Sequence, residues 1–96
     1  MFDQISIPSN WRRNPGFEAR LVRPFCIEHK SLSAFIDIAP PECTEGPCEW
    51  PDAVAIVKLY LPHDRFEGFV CRFQRPIFKK KDAEKVIAEL AGRFEK

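Results

Sequence analysis

Ninety-six residues suffice for one hydrophobic core and leave no room for a second beside it. The apolar fraction of 45% and the charged fraction of 30% are ordinary for a globular chain, while no run approaches the roughly 20 apolar residues of a membrane span and no basic-then-apolar leader opens the sequence. A net charge of +1 excludes a strong whole-molecule field, so the total gives no ground for a DNA-coating protein or an acidic DNA mimic.

The distribution of charge says more. Residues 1–30 carry five Lys/Arg against three Asp/Glu, residues 31–53 carry none against five, and residues 54–96 carry ten against six. A basic start and end therefore flank an acidic middle. The four cysteines, without a leader, read as free thiols in a reducing, cytoplasmic setting. Nine prolines, nearly double the usual share of roughly 5%, cut the chain into short elements.

In chain order, Ile5 and Ile7 alternate weakly and stop at Pro8, which suggests a short edge strand over residues 1–7. Residues 8–16 are rich in turn formers (Pro8, Ser9, Asn10, Asn14, Pro15, Gly16) and read as an irregular loop carrying Trp11, Arg12 and Arg13. Phe17, Ala19, Leu21, Phe25 and Ile27 alternate with polar residues, the signature of a strand with one buried face, interrupted at Pro24. After a turn at His29 to Ser31, a second strand over residues 32–39 sets Ala34, Ile36 and Ile38 on one side and Phe35 and Asp37 on the other. The two form a hairpin.

Residues 40–52 have no hydrophobic period and hold four prolines, four acids and two cysteines, so they form a second irregular loop. Ala53 to Leu61 is the richest strand former, ended by Pro62, and a further strand from Glu67 to Arg75 is ended by Pro76. A turn over Pro62 to Phe66 then pairs Leu61 with Glu67, Leu59 with Phe69, Val57 with Cys71 and Ala55 with Phe73, which gathers one apolar set on one face. Finally Ala83, Val86, Ile87, Leu90, Ala91 and Phe94 fall on one helical stripe, with Asp82 at its start. The expected architecture is a single α+β domain over residues 1–96, an antiparallel sheet of about four strands with the C-terminal helix on its apolar face.

Catalytic and metal chemistry find little support in these residues. Cys43 and Cys48 have a spacing that metal ligands use, but zinc sites draw on two close ligand pairs and only one is present. A Cys–His nucleophile pair needs hydrogen-bond reach, and the hairpin register separates Cys71 from His63, while Cys26 and His29 face opposite sides of an extended chain. Neither a nucleophile elbow, a phosphate loop nor a His-Glu helix motif occurs. No enzyme activity, cofactor or metal is expected.

What is left is recognition. Trp11 with Arg12 and Arg13 joins an aromatic to two guanidinium groups, and Trp50 sits among Glu42, Glu45, Glu49 and Asp52, so either cluster offers an anchor on a proline-stiffened loop. Arg72, Arg75, Lys79, Lys80 and Lys81 form a second basic run, which with Trp11, Arg12 and Arg13 makes nucleic-acid binding the competing reading. Against each stands the plain alternative of solvated charge and a tryptophan folded onto the core. A chain of this size, opening on Met1, reads as a stand-alone binding protein of the inhibitor or adaptor type found among phage and mobile-element proteins. Trp11, Arg12, Arg13, Glu45, Glu49, Trp50 and Lys79 to Lys81 are the expected contacts to a protein partner, with no membrane involved and monomer and homodimer both open.

Overall fold

The computed structural model describes residues 5–41 and 50–95. Five strands, β1 (Trp11–Arg13), β2 (Phe25–His29), β3 (Phe35–Ala39), β4 (Ala55–Pro62) and β5 (Phe69–Ile77), form one antiparallel sheet whose spatial order follows the chain order. Two helices, α1 (Pro15–Leu21) and α2 (Ala83–Glu95), complete an α+β fold, with a 3-10 turn over Lys80–Asp82 leading into α2.

The apolar stripe of α2 packs as its spacing requires. Ala83, Ile87, Leu90 and Ala91 are buried, and Val86 and Phe94 join them from the margins. They meet Ile27, Ile36, Ile38, Ala55, Val57, Leu59 and Ile77 on the covered face of the sheet. The alternation of β3 holds: Ile36 pairs with Ile27 and Leu59 on the α2 side, whereas Phe35 and Asp37 point to the other face.

Four expectations are corrected. The expected strand beginning at Phe17 is helix α1. Asn14 caps it, its Oδ1 accepting from the Phe17 amide at 3.0 Å, with Pro15 in the first turn and Glu18 behind it. These end signals outweigh a short alternation that has no paired neighbour. Val22 closes the helix in the left-handed region at φ 54°, and β2 starts only at Phe25.

Residues 11–13 are not loop but the edge strand β1, paired with β2 through Trp11–His29, Arg12–Glu28 and Arg13–Ile27. Ile5 and Ile7 lie outside any strand and pack against the core instead; Met1 to Gln4 lie outside the described residues.

The β4–β5 register is also displaced. Leu61 faces Val70, Leu59 faces Phe73, Val57 faces Arg75 and Ala55 faces Ile77, with Arg72 as an extra residue in a bulge opposite Leu59 and Tyr60. The cause is a longer tip over residues 63–68, closed by the His63 amide donating to the Gly68 carbonyl at 3.0 Å and by the Gly68 φ of 105°. β5 continues through Pro76, as an outer strand permits.

Both hairpin tips use one device. The Nδ1 of His29 accepts from the amides of Ser31 and Leu32, and the Nδ1 of His63 accepts from those of Arg65 and Phe66. Each imidazole does what an Asx side chain does in a turn, from a longer arm.

Candidate functional site

Trp11 is 2% exposed, its ring edge-on to His29 and Phe94. It is a core residue and offers no surface to a partner. Its neighbours bind within the fold: Arg12 Nε lies 2.7 Å from Glu28 Oε1, and Arg13 Nε lies 2.5 Å from Glu18 Oε2 with its guanidinium over the Phe25 ring. The reason is the pairing of β1 with β2, which turns the expected loop cluster into a sheet edge. Trp50 is half-buried, its carbonyl accepting from Ala53. Glu42, Cys43, Glu45, Cys48 and Glu49 lie outside the described residues. Lys79, Lys80 and Lys81 are exposed where β5 gives way to α2.

The exposed aromatics are strung along β5, whose far end leads to those lysines. Phe66 is 71% exposed at the β4–β5 tip, Phe69 and Phe73 are exposed on β5, and Phe78 follows its end. β5 is an outer strand, paired only with β4 among the described strands. Arg72 sits in the bulge, 3.7 Å from the highly exposed Asp64, and Arg75 lies 3.6 Å from Glu89 of α2. Exposed pairs of this kind are worth little and leave both guanidinium groups accessible. The Arg93 guanidinium stacks on Phe73, 5.0 Å from its centroid. The register expected from the sequence places Phe69 and Phe73 together under the helix. The longer tip and the bulge instead put Phe69 on the far face, edge-on to Phe35 at 4.9 Å, and leave Phe73 at the α2 margin.

A second constellation lies on the face opposite α2. Asp37 is fully buried at mid-sheet, paired in register with Cys26 on one side and Lys58 on the other. Arg23, delivered by the turn after α1, brings its Nε to 3.4 Å from Asp37 Oδ2. Phe17, Phe35 and Tyr60 roof the group, with Phe35 and Tyr60 stacked at 4.4 Å. Burial pushes the Asp37 carboxyl up to about 6 against the opposing pull of Arg23 and Lys58. Burial likewise pushes the Cys26 thiol up to about 12 and raises Tyr60 and Cys71, so neither thiol is an activated nucleophile.

A perturbed carboxyl beside a cation is a signature of chemical sites, but such sites also need a cleft. Two shallow hollows lie along α2, one of them between Ser6 to Pro8 and Glu84, Ala88 and Glu95, and Asp37 lines neither of them. Through the Arg23–Asp37 ion pair the cluster ties the turn after α1 to the sheet as a buried polar staple. Among the described residues no group of three His, Cys, Asp or Glu side chains could hold a metal, and no helix is long and apolar enough to cross a membrane. Compared with protein families, curated proteins and solved structures, the chain matches none.

Proposed function

We propose that this chain is a non-enzymatic binding protein, of inhibitor or adaptor type, that engages a protein partner along the β5 margin. The observation that carries the reading is the line of exposed aromatics along the outer strand β5 and its two ends, Phe66, Phe69, Phe73 and Phe78, with Arg72, Arg75 and Lys79 to Lys81 on the same margin of the sheet. Exposed aromatics and arginines are the residues that dominate protein interfaces. Cys26 and Cys71, both free thiols, fit the cytoplasmic setting included in this reading.

The same residues supply basic charge and rings for a nucleic acid, but their placement favours a protein. Successive bases stack on rings that share a platform, whereas Phe69 and Phe73 belong to opposite faces and Arg93 already covers Phe73.

The test is a photo-crosslinking amino acid placed at Phe66 or Phe78, with the exposed Val22 at the far side as the control, in cells of the native host. A protein adduct from the first two sites that survives nuclease, and none from Val22, is the expected result. Adducts lost on nuclease treatment point to the nucleic-acid reading, and adducts from Val22 alone remove the β5 margin.

A further inference from the structure

We infer that the free edge of β5 takes an extended acidic segment of the partner protein as a sixth strand. This rests on the protein-binding reading above and specifies how the partner is held.

The edge has the length and chemistry for strand addition. Nine residues of strand present about 30 Å of backbone, with hydrogen-bonding groups on the outer side that no described strand satisfies. Pro76 has no amide to donate, so the usable stretch is 69–75. Its two faces differ. On the α2 side stand Phe73 and Arg75, with Arg93 lying on Phe73; on the other stand Phe69 and Cys71, continuous with Phe35 and Tyr60. Side chains of an added strand alternate between these environments. Carboxylates fit beside Arg75 and Arg93, and apolar groups fit beside Phe69. Glu89 balances one of these cations without removing the excess, which Arg72 and Lys79 to Lys81 extend. The occupant is therefore a strand with alternating acidic and apolar residues.

A second copy of the chain is disfavoured at the same edge. Two β5 strands paired about a two-fold axis bring Arg72 and Arg75 towards the arginines of the other copy, and like charges across a ladder oppose pairing.

The experiment is selection of random displayed dodecapeptides on the immobilised intact chain, followed by synthesis of the enriched sequences. Peptides alternating Asp or Glu with Val, Ile or Phe are expected. Their binding should fall roughly tenfold or more in Arg72→Glu/Arg93→Glu, with an unchanged melting temperature, and hold in Arg20→Glu. Hydrogen exchange should slow at β5 amides and not at β1 when peptide is added. An absence of enrichment, a basic or unpatterned consensus, or unprotected β5 amides overturns strand addition. So does sedimentation showing that the chain alone dimerises with β5 protected. If these fail while the Phe66 crosslink to a protein persists, only the mode of binding falls; if the crosslink is absent too, the binding role falls with it.

Discussion

The two faces of the sheet are both buried at its centre, by opposite means. Against α2 the contacts are aliphatic, Ile36, Ile38, Val57 and Leu59 meeting Ile87 and Leu90. On the reverse, Cys26, Asp37 and Lys58 run across three neighbouring strands, with Arg23 above them and aromatic rings around them. The aliphatic face draws on burial of apolar area, which tolerates any packing of the right volume. The polar face contributes less net stability, because desolvation offsets the attraction between its charges. It does distinguish registers, since a slip of one residue would carry Asp37 into the aliphatic core.

That contrast can be broken from either side. Leu90→Ala opens a cavity against the sheet and should cost about 2 to 5 kcal/mol in urea denaturation, by the same amount at pH 5 and pH 8. The opposite face should respond to pH. The folded Asp37 holds its proton to about pH 6, above its ordinary value of 3.8, so its contribution is fully present below about pH 4 and is lost as pH rises through 6. Asp37→Asn should abolish that decline, worth on the order of 3 kcal/mol between pH 4 and pH 7, and parallel pH profiles for the two proteins would refute the assignment. The smallest effect lies at the turn that delivers Arg23. Val22, exposed and branched, sits at φ 54°, and Val22→Gly should raise the melting temperature through a gain of about 1 kcal/mol.

The aliphatic face was legible in the sequence and the polar face was not. The stripe of α2 and the alternation of β3 are local periodicities imposed by burial, and both appear in the structure as read. Phe17 to Leu21 alternates as a strand does, and the signals that decide for a helix are the cap and proline at Asn14 and Pro15, residue types that serve equally well in a loop. The Asp37 cluster has no sequence signature, because Arg23 reaches it only through the geometry of the α1 turn. The β5 margin was half legible. Its arginines and lysines stand out in the sequence, but the short turn that the strand pattern suggests moves Phe69 and Phe73 inside, and no periodicity reveals that a histidine will hold a longer tip open.

The strand order carries a consequence for the kinetics of folding. Because each strand lies beside its successor in the chain, the sheet can assemble by adding neighbours, each step closing a modest loop at small entropic cost. The contacts that join the ends are of another kind: the Ser6 amide donates to Glu84 and the Asn10 side chain to Glu95, across 78 and 85 positions of chain. α2 itself packs chiefly on β4 and β5, its neighbours in the chain, so the two end-to-end bonds are the longest-range closures of the fold and the docking of the helix is not. In any form of the chain that lacks the docked helix, the aliphatic face of these strands stands open to solvent and invites aggregation.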